Sequence, residues 1–173
     1  MFRSTSAKLF LLAAAGLIGC AAGQPDSAAP APQPVFDPAV FFAGRTRGEA
    51  TLKVVLKRAE PVHVEGRGRV TQEGTLILDQ TVARGGRAPE TRQWRIRSAG
   101  GGRVFGSLSD ATGPVTGEIR GNMLHLRYPM KGGVDADQRI YLQPGGRTAL
   151  NRMTISKFGL TVGRLDETIR KLD

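Results

Sequence analysis

A chain of 173 residues, 40% of them hydrophobic and 23% charged, has room for one domain with a buried core and is short for several. Lysine and arginine number 25 against 15 acids, a formal net charge of +10 that suits an anionic surface or plain solubility and selects neither. One cysteine and two histidines exclude a disulfide framework and a thiolate-rich metal centre.

Residues 1–19 read as a targeting segment that stands outside the fold. Arg3 and Lys8 supply a positive start, and the apolar run from Leu9 to Ile18 is shorter than the roughly 20 residues a membrane-spanning helix needs. The run ends in Leu17-Ile18-Gly19-Cys20, which resembles the bacterial lipobox. That resemblance implies diacylglycerol on the Cys20 sulfur, cleavage before Cys20 and acylation of the new amino terminus. Several acyl chains make such an anchor stable, at about 0.8 kcal/mol per buried CH₂. Ala21 stands where an aspartate would favour the inner membrane, so the same analogy points to the outer membrane, facing the periplasm. Nucleic acid is not a partner in that compartment, whatever the charge.

From residue 20 to 35 the sequence is rich in Ala, Pro and Gln with almost no large apolar residue, a semi-extended tether that cannot bury a core. The folded domain is expected over residues 36–173. Asp37 and Pro38 form an N-cap and first-turn pair, so a short helical turn should carry Phe36, Val40, Phe41 and Phe42. Those phenylalanines either plug one end of the fold or belong to its general core.

From Gly48 onward the hydrophobic period is two. Leu52, Val54 and Leu56 alternate with Lys53 and Lys57; Val62, Val64 and Val70 share a parity opposite His63, Glu65, Arg67 and Arg69. Trp94 and Ile96 alternate with Arg95 and Arg97, Leu124, Leu126 and Tyr128 with His125 and Arg127, Met153 and Ile155 with Thr154 and Ser156. Such alternation marks antiparallel strands with one buried and one wet face. Glu73-Gly74, Gly85-Gly86, Gly100-Gly101-Gly102, Gly121-Asn122, Gly132-Gly133 and Gly145-Gly146 break the pattern at hairpin spacing. The expectation is an all-β antiparallel meander of about 8–10 strands, closed into a barrel to remove its edges. Gly66, Gly68, Gly106 and Gly117 fall inside strands, as bends or as places of close approach.

From Phe36 to Lys171 the chain resembles an uncharacterised family of bacterial lipoproteins with a lipocalin-like, calycin-type β-barrel. Four segments carry the likeness: Glu73 to Asp79; Glu90 to Ile96 with Arg92 before Trp94; Ser109-Asp110-Ala111-Thr112-Gly113 running into Gly117 and Gly121-Asn122; and Asn151-Arg152 followed by Met153 to Gly159. The chain has Asp137-Gln138-Arg139 where the family tends to carry Asp-Asp-Trp. The resemblance implies a periplasm-facing barrel with a link to membrane fatty-acid metabolism, and it implies no activity.

Catalytic constellations are scarce. His63 and His125 both lie on polar strand faces and are expected to be solvated. Asp135-Ala136-Asp137 puts two carboxylates on one strand face without a ligand set for a metal. Ser107 and Ser109 lack a nucleophile elbow, and Gly100-Gly101-Gly102 lacks the ending of a phosphate loop. No enzyme activity, cofactor or metal is expected. The polar residues of the matching segments are the candidates: Arg92, Asp110, Asn151, Arg152 and Lys157. Either Arg92 or Arg152 closes a barrel end onto carbonyls or Asp110, or Arg152 and Lys157 meet an anionic head group. Trp94, Tyr128 and Phe158 read as core. Two functions compete: a lipid-anchored barrel that binds a small apolar or amphiphilic ligand, such as a fatty acid or phospholipid, and a structural or interaction lipoprotein with a filled interior.

Overall fold

The computed structural model describes residues 34–173; the leader, Cys20 and the tether up to residue 33 lie outside the described residues. A four-residue helical turn, α1 (Pro38–Phe41), precedes ten strands: β1 (Gly44–Val54), β2 (Glu60–Val70), β3 (Leu76–Arg84), β4 (Glu90–Ser98), β5 (Arg103–Leu108), β6 (Val115–Arg120), β7 (Met123–Met130), β8 (Val134–Leu142), β9 (Thr148–Lys157) and β10 (Leu160–Lys171). Each strand pairs antiparallel with its successor, and β1 pairs with β10 from Thr46 opposite Lys171 to Val54 opposite Gly163, closing the barrel without an edge. The expected meander and its glycine-marked hairpins are therefore what forms.

Alternation fixes which residues enter the barrel, and their chemistry divides it in two. The connections β2–β3, β4–β5, β6–β7 and β8–β9 share one end with α1, and the other five share the opposite end. At the α1 end the interior is full: Phe36, Phe41 and Phe42 pack on Leu76, Ile96, Leu124, Leu142, Ala149 and Ile169. The phenylalanines form a plug and join the core at once, with Phe41 and Phe42 edge-to-face at 4.9 Å. Asp37 Oδ1 caps the turn by accepting from Ala39 N at 2.8 Å. At its other end the Lys171 ammonium donates to the carbonyls of Val40, Phe41 and Ala43, which otherwise lack helical partners. Gly68 has to be glycine here, since a β-carbon would run into the Phe42 carbonyl. The close approach is thus to the plug's backbone. Val40, by contrast, faces solvent.

At the far end, here the mouth, a second and smaller apolar cluster of Leu52, Val62, Val64 and Val82, with Val54, Ile155 and Leu165 against it, lines the wall. Three residues expected on buried faces are not there. Val70 is the exposed last residue of β2. Leu56 and Phe158 lie beyond β1 and β9, in connections too tight for extended backbone, with φ of 62° and 51°. Their side chains are 102% and 91% exposed.

Candidate functional site

Between the two apolar clusters runs a belt of inward polar side chains from β3, β4, β7, β8, β9 and β10. Gln80 of β3 accepts with a single Oε1 from Arg92 Nε at 2.8 Å and from Trp94 Nε1 at 2.9 Å, both on β4. The Arg92 guanidinium also lies 5.8 Å from the Trp94 ring centroid. Trp94 meets Tyr128 of β7 edge-to-face at 5.2 Å, and Tyr128 Oη donates to Gln138 Oε1 of β8 at 2.8 Å. Across the barrel Asn151 Nδ2 of β9 donates to Glu167 Oε2 of β10 at 2.7 Å. Gly48 leaves the room this carboxylate fills, because a β-carbon there would overlap Glu167 Oε1.

Asp110 reaches the same space from the β5–β6 connection. That connection is pinned, since Ser109 N donates to Gln93 O, Ser109 Oγ accepts from Gln93 N, and Thr112 N donates to Pro129 O. Ser109 Oγ also donates to Asp110 Oδ1 at 2.9 Å.

Burial sets the protonation of the belt. Tyr128 is pushed up to about 12 by burial, a rise that Asp110 and Glu167 reinforce and Arg92 opposes. Glu167 is raised by burial as well, with the Asn151 hydrogen bond and the Arg92 charge pulling it part of the way back. Glu167 retains accessible surface, but it faces the cavity and not open solvent.

That cavity measures about 120 Å³ and is bounded by the mouth cluster on one side and by Arg92, Asp110, Tyr128, Gln138, Asn151 and Glu167 on the other. Small-molecule sites usually run from roughly 300 to 1,000 Å³. This one has room for no more than a head group or a very small molecule. A residual space of about 20 Å³ continues toward the plug below the belt, so the apolar lower half is closed, as a filled barrel would be. Two polar groups in the belt lack protein partners. Asn151 Oδ1 is buried without a hydrogen bond, and the terminal nitrogens of Arg92 make none among the described residues. A group with an acceptor for Arg92 and a donor for Asn151 would complete both.

Five of the residues expected from sequence meet here: Arg92, Trp94, Asp110, Tyr128 and Asn151. Three do not. Arg152 is on the outer wall, 4.0 Å from Asp166, with both side chains exposed. Lys157 and Phe158 form the β9–β10 tip, where Lys157 Nζ sits 5.7 Å from the Phe158 ring centroid. Phe158 is therefore not core, Arg152 and Lys157 do not converge on one site, and Arg92 donates to the side-chain carbonyl of Gln80, not to a backbone carbonyl or Asp110. Glu167, Gln80 and Gln138 were missed, although their parity, inward with Leu165, Leu78 and Ile140, could have found them.

His125 departs from expectation too. It is on the outer face but only 4% exposed, covered by charged neighbours. Its Nε2 lies 2.9 Å from Asp137 Oδ2 and its Nδ1 lies 3.4 Å from Arg127 Nη2, contacts that the Nε2–H tautomer satisfies together. Asp137 also takes Arg139 Nη1 at 2.6 Å. Burial pushes the Asp137 carboxyl up, but His125, Arg139 and Arg127 outweigh it and hold the group below its ordinary value. The segment Asp137-Gln138-Arg139 thus braces the wall outside, with Asp137 and Arg139, and the belt inside, with Gln138. Among the described residues no cluster of His, Cys, Asp and Glu could hold a metal ion.

A more open depression of about 710 Å³ lies over β1 to β4. Two of its arginines are paired, Arg45 with Asp173 at 3.4 Å and Arg47 with Glu65 at 3.5 Å.

Residues 14–171 match the family described as "Protein of unknown function (DUF3833)". The chain belongs to that family. Among solved structures, this DUF3833 barrel is similar to an S-type phycobiliprotein lyase from Guillardia theta, with a TM-score of 0.60 at 9% identity over 76% of this chain and 88% of that one. It is also similar to a protein of unknown function from the DUF3598 family of Nostoc punctiforme, with a TM-score of 0.61 at 15% identity over 87% of this chain and 53% of that one. The DUF3833 chain thus spans about half of the Nostoc protein. At these identities the likeness establishes a lipocalin-like barrel fold. No curated protein sequence matches the chain.

Proposed function

We propose that the protein is a lipid-anchored barrel of the cell envelope that holds the polar head of a small amphiphile, such as an acyl chain with a carboxyl end. The observation that carries this reading is the incomplete belt: a buried Asn151 Oδ1 and the Arg92 terminal nitrogens face one cavity whose other wall is apolar. Leaving such groups unpaired costs free energy that a bound head group returns. A protonated carboxyl head accepts from Arg92 and donates its O–H to Asn151 Oδ1, and its first carbons lie against Leu52, Val62, Val64, Val82 and Leu165. Any longer tail leaves through the mouth, because about 120 Å³ does not enclose it. Barrels of this size commonly enclose one small ligand.

Support for the anchor is the leader ending in Leu17-Ile18-Gly19-Cys20, and Ala21 supports the outer membrane's periplasmic face as the address. No catalytic step forms part of the proposal.

Trp94 is the only tryptophan and packs against the belt, so its fluorescence reports occupancy. Titration with octanoate should change its emission saturably, and Arg92→Met should weaken binding about tenfold or more, the value of a charge-assisted hydrogen bond. No response, or an equal one in Arg92→Met, would remove this reading. Labelled palmitate should mark the protein in growing cells and not its Cys20→Ser variant.

A further inference from the structure

The mouth carries a feature that the cavity does not explain. Nine hairpin connections join the ten strands, and only β1–β2 and β9–β10 present large apolar side chains to solvent. These are Val55 and Leu56 on one, and Phe158 with the adjoining Leu160 on the other. The two tips are neighbours because β1 pairs with β10, and Val55 N donates to Val162 O at 2.9 Å. Among the described residues, Leu56 and Phe158 are also the two non-glycine positions with positive φ. Bulky side chains disfavour that backbone, and glycine fills it at most other tips of this barrel. Both strained positions thus hold an apolar group out in water, away from both apolar clusters of the core.

Charge surrounds these tips on one side of the balance. Lys53, Lys57, Arg58, Lys131, Lys157 and Arg164 stand on or beside the mouth, and none is within ion-pair distance of a described carboxylate. Of the acids at this end, Glu60 and Glu90 are taken by Arg87 and Arg84 and Asp110 lines the cavity, which leaves Asp135 on the outer face of β8. At the plug end Val35, Val40, Val70 and Leu172 are also exposed, but each sits on ordinary backbone and none at a strained tip.

We propose that the mouth is a membrane-docking surface: Leu56, Phe158 and Leu160 insert into the interfacial layer of a bilayer, and the unpaired lysines and arginines around them hold anionic phospholipid head groups. An apolar tip ringed by cations fits a surface that is apolar just beneath a negative layer. A protein partner would have to match both features by its own shape, whereas an anionic bilayer has both everywhere. Docking in this way turns the cavity, with Leu52, Ile155 and Leu165 at its rim, toward the acyl chains. The inference stands whether or not the cavity takes a ligand.

Residues 34–173 contain the complete barrel and plug, so they can be tested without leader or Cys20. That segment is mixed with vesicles of phosphatidylcholine alone and with 30% phosphatidylglycerol, and sedimentation reads the bound fraction. Binding is expected to the anionic vesicles, to fall as salt rises, and to weaken about tenfold or more in Leu56→Asp and again in Phe158→Asp. Thermal melts establish that the variants fold, and Gly100→Asp at a plug-end tip should bind as the parent does. Absence of binding to the anionic vesicles would overturn the proposal. So would binding indifferent to both tip substitutions, or a concentration-dependent dimer that the substitutions abolish while vesicle binding stays nil.

Discussion

Replacing Phe42 with alanine tests whether the plug half of the barrel is the structural half. Phe42 is 4% exposed, its ring 4.9 Å from Phe41 and 6.2 Å from Phe36, and no neighbouring backbone can close over the space because the turn is held by Lys171 and by Gly68 beneath it. Phenylalanine-to-alanine changes at such sites cost about 3–5 kcal/mol, in part the transfer of the ring and in part the cavity left behind. A domain of ordinary stability holds roughly 5–15 kcal/mol, so the loss is a third or more of the whole. At about 3 °C per kcal/mol the melting temperature should fall by roughly 10–15 °C. Urea unfolding followed by Trp94 emission measures the loss directly, with the midpoint moving and the slope unchanged. Leu165→Ala at the mouth, where a cavity already exists, should cost only about 1–2 kcal/mol. A Phe42→Ala loss under about 1 kcal/mol would refute the reasoning, since the turn would then ride loosely over an open end.

The tips make the opposite prediction for stability. Leu56→Gly and Phe158→Gly remove the positive-φ strain and should each gain about 0.5–1 kcal/mol net of glycine's extra unfolded-state freedom, read as a raised urea midpoint; a loss would mean the side chains pack after all. For Glu167 the folded pKa lies above the unfolded one, so its contribution is fully present below about pH 4.3 and is lost as pH rises through the raised folded value. Glu167→Gln should therefore flatten stability between pH 4 and pH 7 and exceed the parent at pH 7, and a parent-like profile would contradict the burial of that carboxyl. Asp137 has the reverse sign: its folded pKa is depressed, so its contribution holds above the ordinary carboxylate value and disappears as pH falls through the folded one. Asp137→Asn should lose less stability than the parent between about pH 5 and pH 3, and an equally steep loss would detach His125 from this carboxylate.

The proposed anchor rests on the tetrad at Cys20, and the barrel itself divides into two physical halves. A closed lower half gives rigidity through side-chain packing. The upper half then keeps unpaired polar groups and strained apolar tips, features that a chain selected for stability alone would not retain.

Strand parity along the chain was enough to determine a closed antiparallel barrel, because a period of two with glycine at ten-residue intervals allows few other packings. It also determined the capped turn at Asp37-Pro38, whose signals are local. Parity could place Trp94 and Tyr128 inside for the same reason. It could not place Phe158 or Leu56, since alternation continues in sequence past the point where the chain turns and only the backbone at the tip shows where it ends. Nor could it see that His125 is buried on an outer face, because cover there comes from Glu118 and Asp137 on the two neighbouring strands. Belt and mouth were likewise decided by the tertiary structure alone. Which inward polar residues share one layer depends on the stagger between strands, and that stagger is fixed only when β1 meets β10 and the sheet closes.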